Sequence, residues 1–153
     1  MARLSGCAHG VAVSNGTAAL QIALLVSGVL AGDEVLMPAL TFVATANATS
    51  HLGAVPHFVD SAHDTMGICP ASLRAHLEEI AEVKSGVTWN CTTGRRIAAI
   101  VPVHVFGCPV NMNALKSVIS DWPMAVVEDA AESLGSYYHK NPCGSLGGNA
   151  AIS

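Results

Sequence analysis

Short apolar runs alternate with longer stretches in which apolar residues recur near 3.6-residue spacing, so the chain reads as strands and helices taking turns. Val11 to Val13, Glu34 to Met37, Val55 to Val59, Ile97 to Val103 and Met124 to Glu128 predict strands. Thr17 to Val29, Thr41 to His51, Pro70 to Ile80 and Met112 to Asp121 predict helices. Parallel strands need a crossover, and the crossover helix covers a sheet face. The pattern therefore implies an α/β fold, a mostly parallel sheet with helices on both faces. The end signals agree: Asn15 and Asn111 suit N-caps, Pro70 suits a first helical turn, and Gly32 is a candidate left-handed helix terminator. The polar segment Lys84 to Arg96, with Gly86 and Gly94 around Trp89-Asn90, reads as an inserted loop or hairpin.

Composition changes this picture in one respect. A chain of 153 residues can bury one ordinary core, but 51% hydrophobic and only 12% charged residues is the balance of an interior. Surfaces of this chain are expected to be covered by another domain or subunit. The net charge of −4, with Arg95-Arg96 as the only basic doublet, excludes an electrostatic footprint for nucleic acid. The apolar stretch Ala18 to Ala31 is interrupted by Gln21 and Ser27 and is too short to span a bilayer, and Met1 to Gly10 has no signal-length apolar run. The expectation is a soluble, cytoplasmic protein.

The five cysteines form no C-x-x-C pair and fit reduced, isolated thiols better than a disulfide frame or a zinc site. None of the seven histidines stands at helical i,i+4 spacing with a second ligand, so no metal site is expected. Asn-x-Thr matches at Asn15, Asn47 and Asn90 are chance patterns in a chain without a secretory signal.

Candidate chemistry collects at two places. Asn15-Gly16-Thr17-Ala18 opens a long helix, so the amides of Gly16, Thr17 and Ala18 can face an anion, with the Thr17 hydroxyl as a further donor. Glu128-Asp129 ends an apolar strand, the edge where open α/β sheets hold ligands, and a protonated pyridine nitrogen would compensate a carboxylate buried there. Each motif alone also suits an ordinary capped helix or a strand-end cap. Phe42, after Pro38 and Thr41, offers either a stacking ring or plain core packing; His104 offers a crevice residue or a satisfied structural histidine.

The order of the pieces is more specific than any one of them. Asn15-Gly16-Thr17-Ala18-Ala19-Leu20, Gly32-Asp33-Glu34-Val35 with Pro38 and Thr41-Phe42-Val43-Ala44-Thr45-Ala46-Asn47, Phe58-Val59-Asp60, Pro102-Val103-His104-Val105-Phe106-Gly107 and Glu128-Asp129-Ala130-Ala131-Glu132 follow in sequence. From about Cys7 to Ser153 the chain resembles the DegT/DnrJ/EryC1 family of PLP-dependent sugar aminotransferases. Gly94-Arg95-Arg96-Ile97 and Glu128 to Ser136 resemble the branch acting on nucleotide-linked 4-keto-6-deoxy amino sugars, of the legionaminic or bacillosamine type.

The resemblance implies an aspartate-aminotransferase-like large domain, PLP fold type I, with residues 1–153 as its central part and the small C-terminal domain absent. It implies pyridoxal 5'-phosphate as cofactor, with Gly16, Thr17 and Ala18 at the phosphate, Phe42 over the ring and Asp129 on the pyridine nitrogen. Glu132 stands where relatives often have Gln or His near the cofactor's phenolic oxygen, and Ser153 matches a serine that helps hold the phosphate. No catalytic residue is expected within the chain, because the family's Schiff-base lysine lies five residues beyond Ser153. Lys84, Lys116 and Lys140 are not placed to replace it. The implied partners are a nucleotide-sugar substrate, an amino-acid donor (glutamate expected) and a second copy of the chain in a homodimer. Two contrary expectations remain: an inactive stand-alone binding or interaction module keeping the fold, and a sensor of a phosphorylated metabolite.

Overall fold

A computed structural model describes residues 1–153. The elements run in order as α1 (Ala2–Ser5), α2 (Gly16–Val26), β1 (Glu34–Pro38), α3 (Val43–His51), β2 (Val55–Val59), α4 (Pro70–Ile80), β3 (Ala81–Lys84), β4 (Val87–Asn90) and β5 (Ile97–Ile100). A tight turn (Val105–Gly107), α5 (Met112–Ile119), β6 (Ala125–Asp129), β7 (Tyr137–Tyr138), β8 (Asn141–Pro142) and β9 (Asn149–Ala151) complete the chain. The central sheet has the spatial order β2-β1-β5-β6-β9, and every neighbouring pair is parallel. No helix is long and apolar enough to cross a membrane.

Every residue of β1 is buried, as expected of a strand covered on both faces. Its side chains divide by the period of the pleat. Val35 and Met37 join Leu20, Ala23 and Leu24 of α2 and Ala48 of α3 in one core. Leu36 joins Leu73 and Leu77 of α4 and Leu115 and Val118 of α5 in the other. The same alternation on β6 sends Val127 toward α2 and α3, and Val126 toward α4 and α5.

Asn15 caps α2 as predicted, its Oδ1 accepting the Ala18 N–H at 2.9 Å, and Asn111 caps α5 in the same way at 3.1 Å. Gly32 does not end a helix. The α2 terminus is Gly28, at φ 86°, where Gly28 N–H bonds to Leu25 O and Val29 N–H to Leu24 O, the paired bonds of a Schellman terminus. Gly32, also left-handed at φ 88°, turns the chain into β1.

Three strand expectations are corrected. Val11 to Val13 is not a strand: with no ladder partner its backbone groups turn to solvent, and Val11 is 85% exposed. The strand expected over Ile97 to Val103 stops at Ile100, because Pro102 brings no N–H to the ladder; only the bridge Val103 to Asp129 continues it. β9 comes from a glycine-rich segment that gave no strand signal. The insert is a hairpin starting earlier than expected, directly from α4 at Ala81, with Ser85 and Gly86 both at positive φ (52° and 76°) in its two-residue turn. Asn90 Nδ2 and Thr93 Oγ1 fasten it to β1 by donating to the Glu34 carboxylate at 2.9 and 2.6 Å. The Arg95-Arg96 doublet is likewise structural, Arg96 pairing with Asp33 and Arg95 donating to Gly32 O.

Leu24 and Leu25 are neighbours on α2, yet Leu24 is fully buried and Leu25 is 54% exposed. Leu24→Ala is expected to cost about 2–5 kcal/mol and Leu25→Ala less than about 0.5 kcal/mol, read from urea denaturation midpoints.

Candidate cofactor site

The carboxyl edge of the sheet brings together residues from both ends of the chain. Asp129, the last residue of β6, points toward α2 and α3 and is 5% exposed. Its Oδ2 accepts the Thr45 hydroxyl at 2.7 Å, and Thr45 Oγ1 lies 2.8 Å from Thr41 Oγ1. Thr41, Thr45 and Thr49 recur every four residues, so one face of α3 carries a hydroxyl stripe that begins at the open end of the helix and meets the carboxylate. Burial raises the Asp129 pKa above the ordinary carboxylate value; hydrogen bonds from Thr45 and Ala131 oppose that, and the nearby Glu132 charge adds to it. A carboxylate so placed is stabilised by a cation at its free side.

The opening of α2 lies at the same edge. Asp129 pairs with Ala151 in β9, and the chain runs on from there to Ser153. A Cβ placed on Gly16 would stand 3.0 Å from Ser153 Cβ and 3.2 Å from its Oγ, so the two residues are in contact and only glycine fits without displacement. The N–H groups of Gly16 and Thr17 make no hydrogen bond within the protein. Ala18 departs from expectation: its N–H is taken by Asn15 Oδ1, which leaves two free amides at the helix opening, not three.

Phe42 is the extended residue before α3 and is 72% exposed, so its ring is not core; it stands next to Thr41 at the head of the hydroxyl stripe. Glu132, close enough for its charge to act on Asp129, is engaged by the backbone. Its Oε2 accepts the Phe106 N–H at 2.5 Å, fastening a turn in which Phe106 and Gly107 are both left-handed (φ 52° and 78°). The lysines stand apart from this edge: Lys84 pairs with Glu82 on the hairpin, Lys116 is on α5 and Lys140 is in the β7–β8 turn.

Behind the shelf, Glu128 is fully buried and turned to the opposite face from Asp129. Its Oε2 accepts His104 Nε2 at 3.0 Å and Gly144 N–H at 2.8 Å, and its Oε1 accepts Leu146 N–H at 2.6 Å and Gly147 N–H at 2.5 Å. His104 Nδ1 accepts the Val110 N–H at 3.2 Å, so the proton is assigned to Nε2 and the contact with Glu128 is a hydrogen bond from a neutral ring. His104 is thus a satisfied structural histidine that does not face the crevice. Burial pushes the Glu128 pKa up, but the His104 and backbone hydrogen bonds outweigh it and hold the carboxyl below the ordinary range. The grip on residues 144–147 sets where β9 begins, and so where Ser153 meets Gly16. For Thr45 the sequence carries a signal, the four-residue recurrence of threonine, and for the Glu128 loop grip it carries none.

The parallel sheet with helices on both faces is the architecture of the PLP fold type I aminotransferases. The chain belongs to the DegT/DnrJ/EryC1/StrS aminotransferase family, whose model matches residues 1–153. It is similar to 3-amino-5-hydroxybenzoic acid (AHBA) synthase, at 34% identity and TM-score 0.83 over 99% of this chain and 35% of that one. DesI, solved in the presence of its TDP-sugar product, is 34% identical with TM-score 0.81, over 99% of this chain and 34% of that one. The PLP-form of a putative sugar aminotransferase, Spr1654 from Streptococcus pneumoniae, is 25% identical with TM-score 0.80, over 99% and 38%. The chain therefore spans little more than a third of the solved proteins it matches. The family is PLP-dependent.

Glu128→Gln turns an amide N–H toward at least one of four donors and is expected to destabilise by about 1–3 kcal/mol. Because the folded-state pKa of Glu128 is depressed, its contribution is present above the unfolded glutamate pKa and is lost as pH falls through the lower folded value. Urea midpoints measured from neutral pH into acid should therefore decline less steeply for Glu128→Gln than for the parent chain.

Proposed function

We propose that the whole protein is a cytoplasmic PLP-dependent aminotransferase that moves an amino group from an amino acid, glutamate as donor, to a keto sugar carried on a nucleotide, for amino-sugar or surface-polysaccharide synthesis. The observation that carries the reading is Asp129: a buried carboxylate with raised pKa, at the same sheet edge as the Gly16–Ser153 contact. When bound, PLP supplies the electron sink for amino transfer.

The residues of this chain fit that group by donor chemistry. Asp129 holds a proton on the ring nitrogen by opposing charge, and Thr45 holds Asp129 in place. Gly16 and Thr17 amides, the Thr17 hydroxyl and the Ser153 hydroxyl suit a phosphate, with the small Ala18 keeping the approach clear. Phe42 offers an exposed aromatic face. Glu132 acts through the Phe106 turn: an ionised carboxylate accepts hydrogen bonds only, which suits the Phe106 amide better than a phenolate oxygen. Exposed Ile22, Leu25, Val26 and Leu30 support burial of α2 against further chain or a second subunit of a homodimer.

Titrating the 153-residue chain with PLP, followed by absorbance, should show saturable binding weakened at least tenfold by Asp129→Ala and by Ser153→Ala with Thr17→Ala. Borohydride treatment should leave Lys84, Lys116 and Lys140 unmodified by mass. No binding by the parent chain favours the stand-alone interaction module, and binding untouched by Asp129→Ala favours a phosphate sensor; either outcome sinks the proposal.

A further inference from the structure

We infer that His57 and His76 form a site for a divalent transition-metal cation of the zinc type on the outer edge of the sheet, independent of the Asp129 shelf. β2 is the edge strand, and it sends His57 to the same side as Val59, toward α4. His76 stands on α4 one turn beyond Ser72, and its Nε2 lies 2.8 Å from the Nε2 of His57. On its other side, His57 Nδ1 lies 2.9 Å from Glu34 Oε2. A carboxylate can only accept, so the proton of that bond belongs to His57 Nδ1.

With Nδ1 turned to Glu34, His57 directs Nε2 at His76 Nε2, and one proton lies between the two ring nitrogens. Two ring nitrogens from different elements thus converge on one proton. This is the donor set of a metal site, two imidazoles of which one is oriented by a carboxylate at its far nitrogen. A cation takes the place of that proton, which passes to solvent or to His76 Nδ1, a nitrogen with no hydrogen bond within the protein. The two Nε2 atoms then separate to about 3.3 Å, the spacing set by tetrahedral geometry with Zn–N near 2.0–2.1 Å. His76 belongs to a half-buried helix position that can supply this small shift.

Room for the rest of the coordination shell lies next to the pair. A cavity of about 200 Å³ lies there, lined by Phe58, Val59, Asp60, Ser72 and His76. No third His, Cys, Asp or Glu side chain joins the pair, so the rest of the shell would have to be water. Imidazole nitrogen favours zinc, copper and nickel over magnesium or calcium.

Isothermal titration of the chain with zinc chloride near neutral pH, thiols kept reduced, tests the site. The parent should take up one more equivalent than His76→Gln, and Glu34→Gln should bind that equivalent about 10–100-fold more weakly. Magnesium chloride should give no binding heat. His57→Gln should lose the same equivalent, and if that strand variant fails to fold, His76→Gln decides alone because its position is on a helix surface. Unchanged stoichiometry and affinity in His76→Gln, with its circular dichroism unchanged, overturns the inference, as does a parent chain that takes up no zinc.

Discussion

The Glu128 carboxylate is the constraint on which the site depends. A fully buried anion is tolerable only when every lone pair has a partner, and here three backbone amides of one loop and a neutral imidazole supply them. The amides come from a glycine-rich segment that is otherwise held by the buried Cys143 and Leu146 and by the Gly148 N–H bond to Val126 O. Once gripped, that segment delivers β9 to the β6 edge in register, Glu128 opposite Ala150 and Asp129 opposite Ala151. One strand thus performs two tasks on its two faces: Glu128 organises the loop behind, and the next residue, Asp129, presents its charge in front.

Parallel topology explains why the charge is useful where it stands. All five strands of the sheet end on the same side, so the helix openings and loops that follow them gather there. α2 lies against β6 and β9, which puts its first turn beside residues more than a hundred positions later in sequence. The sugar aminotransferases to which the chain is similar share this arrangement over the third of their length that it spans.

What was legible in the sequence was what local patterns dictate. The strands β1, β2 and β6, the helices α2 to α5 and the caps at Asn15 and Asn111 follow from periodicity and from side chains acting on their own backbone. Strands fixed by a neighbour were not legible. Asn149–Ala151 has no strand pattern and pairs with a β6 edge that Glu128, Leu146 and Gly148 help it reach, whereas Val11 to Val13 has the residue type and lacks the neighbour. Motif order proposes the site residues but not their partners: Thr45 against Asp129 spans two elements, and Glu132 bonds a backbone amide that no spacing rule connects to it. The His57–His76 contact escaped for the same reason, since a search for ligands along one helix cannot see a strand and a helix meeting.

The edge strand β2 carries Pro56 at its second residue. Val55 directs its N–H inward, to Asp33 O, so the alternating ladder aims position 56 outward, where proline has no hydrogen to offer. A stray chain approaching that rim meets a gap in the row of donors, and the long parallel sheet is denied a template for growing sideways into aggregates.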